Sequence, residues 1–238
     1  MNHFQLNGLK MLRYALFDLD NTLYPKSSGV MKEIGRRMNL FMSERLGIPA
    51  EKVREQRDAL LVSHGTTLNG LRRSHAVDPD EFLAFVHNLP LQQLLSRNEA
   101  LDRMLAAIPL RKFVFTNADA AHARRILTTL GVIDHFESII DIHLVEFCNK
   151  PDLRAYKKAL TFISAQPEEC VLLEDYPANI RPARAMGMTT VLVGPDGDDA
   201  GDVVGEDVAD YTIASVVEFE QLLDRILHGN STVPSQSQ

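Results

Sequence analysis

Short apolar runs that end on polar residues recur along the chain and predict the strands of a buried sheet. The first is YALFD at 14–18, and later runs lie at 112–116, 138–142, 171–174, 189–193 and 211–213. Continuous apolar runs of this length are typical of parallel strands covered on both faces. Segments with helical periodicity separate them, at 120–130, 152–163, 178–186 and 216–227. The alternation predicts an α/β fold with a mostly parallel, Rossmann-like core of three layers.

The region between the first two predicted strands has a different pattern. Apolar residues recur there at spacings of three and four, as in Met31, Ile34, Met38, Phe41 and Met42. Asp78 followed by Pro79 predicts a helix start, because Asp caps free amide groups and proline fits the first helical turn. We therefore expect a small all-helical cap domain at 27–95, inserted between the core segments 12–26 and 96–227.

Composition and charge narrow the class of ligand. The chain has 238 residues, 45% hydrophobic and 24% charged, which suits one large globular core with an insertion. The formal net charge of −7 argues against binding of a nucleic acid polymer, since such binding normally uses a basic face. A few local cations and a metal ion can still hold one small phosphorylated ligand on an acidic protein.

Cysteine usage and hydropathy indicate a cytoplasmic location. The two cysteines, Cys148 and Cys170, lack CxxC spacing, which argues against a zinc site or a disulfide framework. The N-terminus lacks the apolar stretch of a signal peptide, and no segment resembles a membrane span. We expect no membrane partner, a monomer or homodimer, and a disordered polar tail at 228–238.

Polar residues follow the predicted strands at the ends where ligands bind in parallel α/β sheets. These residues are Asp18, Asp20, Thr116, Asn117, Lys150, Glu174 and Asp175. Acidic groups placed together repel one another unless a cation joins them, and Mg²⁺ prefers carboxylate and phosphate oxygens. Phosphoryl transfer needs a nucleophile, charge neutralisation and a proton donor, and each has a candidate in this set.

The same residues lie in four segments that resemble the motifs of the haloacid dehalogenase superfamily, in that family's order. FDLDNTL at 17–23 resembles the first motif, DxDx[TV], and VFTN at 114–117 resembles the second. Lys150-Pro151 resembles the third, and LED at 173–175 with Asn179 resembles the fourth. The ordered set covers most of the chain and is far more specific than any single motif.

The resemblance implies a magnesium-dependent phosphomonoester hydrolase. Asp18 would attack phosphorus and form an aspartyl-phosphate, while Asp20 would protonate the leaving oxygen and then activate water. Thr116 and Asn117 would hold the transferring phosphoryl group. Lys150 would neutralise charge on Asp18 and on the phosphate.

The resemblance also implies how Mg²⁺ is bound. Its ligands would be Asp18, Asp175 and the backbone carbonyl of Asp20, with Glu174 acting behind them or through a water molecule. The chain departs from many relatives at Tyr176, where they have a small Ser or Thr. We therefore expect the details of this acidic loop to differ from theirs.

Within the superfamily, the early part of the chain resembles the pyrimidine 5′-nucleotidase branch. NTLYP at 21–25 and HGTTLNGL at 64–71 carry this likeness, with His64 in place of a common tyrosine. It implies that His64, Thr67 and Arg72 of the cap contact the substrate, a pyrimidine nucleoside 5′-monophosphate. Helix-capping or solvated roles for these three residues are equally open.

Other functions are compatible with the same motifs. The LED form of the fourth motif also occurs in sugar phosphomutases, which must shield their phospho-aspartate from water. A phosphatase for sugar phosphates or pyridoxal phosphate would use the same chemistry, whereas the intact acidic set argues against a non-catalytic regulatory protein. We expect structural roles for the histidines without metal-ligand spacing, namely His75, His87, His122, His135 and His143.

Overall fold

A parallel sheet forms the centre of the protein, and the computed structural model describes residues 11–194 and 208–228. Its strands are β1 (Tyr14–Phe17), β2 (Arg111–Phe115), β3 (Ser138–Ile140), β4 (Cys170–Glu174), β5 (Thr189–Val193) and β6 (Tyr211–Ile213). They are ordered β3-β2-β1-β4-β5-β6, and every neighbouring pair is parallel. The predicted α/β fold is confirmed, and β1 lies in the interior of the sheet.

Helices flank the sheet and fill the segment between β1 and β2. That segment contains α1 (Val30–Glu44), α2 (Ala50–His64), α3 (Thr67–His75), α4 (Pro79–Val86) and α5 (Leu91–Leu94). The remaining helices are α6 (Glu99–Ala107), α7 (Ala120–Leu130), α8 (Leu153–Ile163), α9 (Pro177–Ala185) and α10 (Phe219–His228). The helix predicted at 216–227 is in fact a 3₁₀ turn, Val216–Glu218, followed by α10.

The alternation of side chains along β1 builds two hydrophobic layers. Ala15 and Phe17 belong to one cluster, which also contains the apolar residues of α6, α7 and α10. Tyr14 and Leu16 belong to the other cluster, which contains those of α8, α3 and α4 together with Phe41 and Met42 of α1. A fully buried large apolar side chain such as Phe17 stabilises the fold by about 1.5–3 kcal/mol. Burial on both faces explains why the strand reads as an uninterrupted apolar run.

The segment between β1 and β2 is helical, as the periodicity predicted. Asp78 accepts a hydrogen bond from the backbone N–H of Glu81 at 2.9 Å, and Pro79 begins α4, as expected for a cap followed by proline. The apolar stripe of α1 is not buried along its whole length, since Met31 is 37% exposed while Met42 is fully buried. The boundaries of the cap domain stay a prediction.

Two expectations concern segments at the margins of the described residues. The predicted disordered tail begins at His228, but His228 is the last residue of α10. Positions 229–238 of that tail lie outside the described residues. Among the helices in 11–194 and 208–228, none has the length and apolar content needed to cross a lipid bilayer.

Candidate active site

Lys150 joins three strand ends through its ammonium group. Its Nζ donates to Oδ1 of Asp18 at 2.7 Å, to Oε2 of Glu174 at 2.7 Å and to the carbonyl oxygen of Phe115 at 2.8 Å. Lys150 is 1% exposed, and these bonds use the three donors of an ammonium group. A buried charge is tolerated only when it is paired in this way. The predicted meeting of the first, third and fourth motifs is therefore present in the fold.

The main chain of Lys150 is held by an amide from the second motif. Oδ1 of Asn117 accepts from the Lys150 backbone N–H at 2.8 Å, and its Nδ2 donates to the Lys150 carbonyl at 3.1 Å. Nδ2 of Asn149 donates to the same carbonyl at 2.7 Å. Oγ1 of Thr116 accepts from the Ala118 N–H at 3.0 Å just after β2 ends. Contact of Thr116 and Asn117 with a phosphoryl group stays a prediction, and Asn117 also positions Lys150.

Three carboxylates lie together beside Lys150. Asp18, Glu174 and Asp175 each offer an oxygen atom within 4.8 Å of the others. Burial raises the pKa of Asp18 to about 7, with the charge of Glu174 adding to the effect and Lys150 opposing it. Burial and the charge of Asp18 raise the pKa of Asp175 to about 6. The one positive charge of Lys150 therefore does not balance the three carboxylates.

This cluster fits a divalent cation that prefers oxygen ligands. Its donors are all carboxylate oxygens, the ligands that Mg²⁺ takes in phosphoryl-transfer sites. Oε1 of Glu174 accepts from the backbone N–H of Tyr176 at 3.2 Å, and its Oε2 is held by Lys150. Glu174 is thus fixed by the protein, and its expected place behind the direct ligands stays a prediction.

Asp20 lies beside two side chains for which the sequence predicted no role in the site. Its Oδ1 accepts a hydrogen bond from the hydroxyl of Tyr24 and lies 3.5 Å from Nε2 of His122. Burial by itself would raise the pKa of Asp20, but His122 and Tyr24 outweigh it and hold that pKa below its ordinary value. One feature of the sequence points to the contact between His122 and Asp20. His122 lies in the first turn of the helix after the second motif, near the ligand edge of the sheet.

Arg72 of the predicted cap contacts the loop that precedes Lys150. Its guanidinium carbon lies 3.9 Å from the centre of the Phe147 ring, and its Nη1 donates to Oδ1 of Asn69 at 3.1 Å. Nδ2 of Asn69 in turn donates to the carbonyl of Phe147 at 2.9 Å, and to Oδ1 of Asn149. Helix α3 is thereby fixed to the loop that carries Lys150.

Of the other two predicted substrate contacts, Thr67 begins α3 and His64 is the last residue of α2. Thr67 is buried in the first turn of α3, whose N-terminus is capped by Oγ1 of Thr66 accepting from the Asn69 N–H at 3.1 Å. Nδ1 of His64 lies 2.7 Å from Oγ of Ser63. Contact of His64, Thr67 and Arg72 with a substrate stays a prediction.

Known proteins similar in sequence include a yeast protein and an archaeal phosphatase. Phosphate metabolism protein 8 of Saccharomyces cerevisiae is 28% identical over 191 residues, covering 74% of this chain and 60% of the yeast protein. The glyceraldehyde 3-phosphate phosphatase of Methanocaldococcus jannaschii is 26% identical over 235 residues, covering 91% of this chain and 99% of that protein. This chain thus matches the archaeal relative over nearly its full length, but only part of the yeast one.

Solved structures and a family comparison identify the fold. The crystal structure of a HAD phosphatase from Thermococcus onnurineus superposes with a TM-score of 0.62 at 20% identity, covering 89% of this chain and 98% of that chain. The haloacid dehalogenase-like hydrolase family matches residues 12–187, which contain Asp18, Lys150 and the acidic pair after β4. This protein therefore belongs to the haloacid dehalogenase-like hydrolases.

Proposed function

We propose that this protein is a magnesium-dependent phosphomonoester hydrolase that uses Asp18 as its nucleophile. The observation that carries the proposal is the ammonium of Lys150, 2.7 Å from both Asp18 and Glu174. Oδ2 of Asp18 also accepts from the hydroxyl of Thr22 at 3.2 Å, so both carboxylate oxygens are oriented. A carboxylate held in this way, beside a second acid at Asp20, suits covalent catalysis at phosphorus.

The reaction would proceed in two displacements. An oxygen of Asp18 forms a bond to phosphorus while the bond to the leaving oxygen breaks, and Asp20 gives that oxygen a proton. In the second displacement Asp20 takes a proton from water, which attacks phosphorus and frees Asp18 with release of phosphate. Lys150 offsets the negative charge on Asp18 and the phosphoryl group throughout. Bound at Asp18, Asp175 and the Asp20 carbonyl, Mg²⁺ would supply the remaining positive charge.

We further propose a pyrimidine nucleoside 5′-monophosphate as the substrate. The likeness of the segments at 21–25 and 64–71 to the nucleotidase branch supports this choice. The contacts of Arg72 with Phe147 and Asn69 also support it, because they bring α3 to the loop beside Lys150. A cytoplasmic location, with the protein as monomer or homodimer, completes the proposal.

The test is phosphate release with Mg²⁺ across a panel of monophosphates. The panel contains UMP, CMP, purine nucleotides, sugar phosphates, glyceraldehyde 3-phosphate and pyridoxal phosphate, and each is also assayed with Asp18→Asn. We expect the pyrimidine nucleotides to be hydrolysed best and the variant to be inactive. The exposed Asp80→Asn serves as a matched control for the loss of one carboxylate and should retain wild-type activity.

Other outcomes of the panel would overturn defined parts of the proposal. Activity on other monophosphates alone would keep the mechanism and replace the substrate. Isomerisation of a sugar phosphate without net phosphate release would indicate a phosphomutase. Absence of all turnover by a folded, magnesium-loaded protein would refute the hydrolase.

A further inference from the structure

His122 is a buried histidine that faces Asp20. Its side chain is 0% exposed, and its Nε2 lies 3.5 Å from Oδ1 of Asp20. Neither ring nitrogen has a hydrogen-bond partner within residues 11–194 and 208–228. Buried polar groups nearly always have a hydrogen-bond partner. A buried imidazole that has none and lies beside a carboxylate therefore calls for a functional explanation.

Neighbouring residues fix the orientation of the His122 ring. It stacks on the ring of His87 with centroids 4.0 Å apart and planes inclined by 16°. Asp119 holds both residues, since its Oδ1 accepts from the His122 backbone N–H at 2.8 Å and its Oδ2 lies 2.5 Å from Nδ1 of His87. Arg125 donates to the His87 carbonyl at 2.6 Å. The ring is therefore held by packing and by its backbone, independently of Asp20.

Tyr24 engages the same oxygen of Asp20 from another direction. Its side chain is buried, and its hydroxyl donates to Oδ1 of Asp20. When the neutral His122 ring carries its proton on Nε2, Oδ1 faces two donors. A protonated Asp20 would then carry its proton on Oδ2, the oxygen that these donors do not engage.

We propose that His122 is a positioning residue for Asp20, acting with Tyr24 to aim the proton on Oδ2 at the leaving oxygen. The inference rests on the proposed function. In the step concerned, the bond from Asp18 to phosphorus forms as the bond to the leaving oxygen breaks. That oxygen takes the proton of Asp20, which becomes a carboxylate.

The dependence of the rate on the leaving group tests this role. An alkyl phosphate needs a proton on its departing oxygen, whereas p-nitrophenyl phosphate releases a stable phenolate and does not. In His122→Leu we expect kcat/KM for the best alkyl phosphate of the panel to fall by about tenfold or more, with less than about a threefold change for p-nitrophenyl phosphate. His122→Gln keeps a side-chain N–H donor and should restore most of the ratio between the two substrates.

Controls separate this role from a purely structural one. His135→Leu removes a histidine that contacts Asp102 instead of Asp20, and it should leave the ratio at the wild-type value. Circular dichroism and thermal unfolding establish that each variant is folded. Equal losses for both substrates in His122→Leu, or no recovery of the ratio in folded His122→Gln, would overturn the positioning role. Failure of the wild type to hydrolyse either substrate would instead refute the proposed function, and the inference with it.

Discussion

The ammonium group of Lys150 lies 2.7 Å from Oδ1 of Asp18, although 132 positions separate the two residues in the sequence. The pair is almost fully buried and shares its lysine with Glu174. Removal of one partner from a buried ion pair leaves the other charge uncompensated, which is strongly destabilising. Lys150, which would prepare the proposed nucleophile Asp18, is therefore also a structural support of the site.

Lys150→Met should lower the free energy of unfolding by about 3–5 kcal/mol and abolish phosphate release. Urea denaturation measures the first effect and the magnesium-dependent assay the second. Lys158→Met is the matched control, because Lys158 pairs with Glu146 at a similar 2.8 Å but in contact with solvent. We expect that control to cost less than about 1 kcal/mol. Equal losses in the two variants would show that burial of the Lys150 pair has no energetic importance.

Gly65→Ala should disturb the contact between α3 and the loop that precedes Lys150. Gly65 has a φ of +77°, and a Cβ there would lie 2.5 Å from Nδ2 of Asn149, which donates to the Lys150 carbonyl. Gly47 has a similar φ of +66°, but a Cβ there would meet nothing within 4 Å. Gly47→Ala should therefore show only the backbone cost of about 1–2 kcal/mol and retain full activity. Gly65→Ala should cost more in a thermal melt and also lower kcat/KM. Unchanged activity in Gly65→Ala would show that Asn149 does not position Lys150.

Magnesium should stabilise the protein more strongly as the pH rises. Burial raises the pKa of Asp18 to about 7 and that of Asp175 to about 6, both above the ordinary value of 3.8. The folded metal-free protein therefore binds protons more tightly than the unfolded chain, and it loses this stabilisation as the pH rises from the unfolded value of 3.8 to the folded values of about 6 and about 7. Mg²⁺ needs the ionised carboxylates and competes with those protons.

Scanning calorimetry with and without Mg²⁺ measures this effect. The increase in Tm produced by the metal should be small near about pH 5 and several degrees near about pH 8. Asp18→Asn removes one ligand and should flatten the dependence. An increase in Tm that is independent of pH would argue against metal binding at Asp18 and Asp175.

Arg72→Gln should weaken substrate binding more than turnover. The guanidinium of Arg72 lies on Phe147 in the loop before Lys150, where a bound nucleotide would come close to the cap. We expect KM for UMP to rise about tenfold with kcat within about threefold, which is the signature of a lost ground-state contact. Arg73→Gln is the control, because the neighbouring Arg73 is exposed. Reduced stability with an unchanged KM would assign Arg72 to the contact between α3 and the loop alone.

Local signals in the sequence were enough to predict the layers of the fold and to identify the acidic motifs. Both β1 and β4 read as apolar runs because both of their faces are buried. Asp18 directly follows β1, and Glu174 is the last residue of β4. Helix signals were equally local, since Asp78 and Gly131 cap α4 and α7 through atoms only a few residues away. Information of this kind lies within one turn or one strand, so a single sequence reveals it.

The contacts between distant side chains follow from the packing of whole helices and strands. Periodicity shows which face of an element is buried, but it does not show which residue lies opposite in space. Only a structural role was therefore expected for His122, whereas the packing of α7 places its ring beside Asp20. The hydrogen bonds between the side chain of Asn117 and the main chain of Lys150 likewise depend on the end of β2 lying next to the loop that carries Lys150. Such contacts follow from the relative placement of whole elements, which the local pattern of residues does not encode.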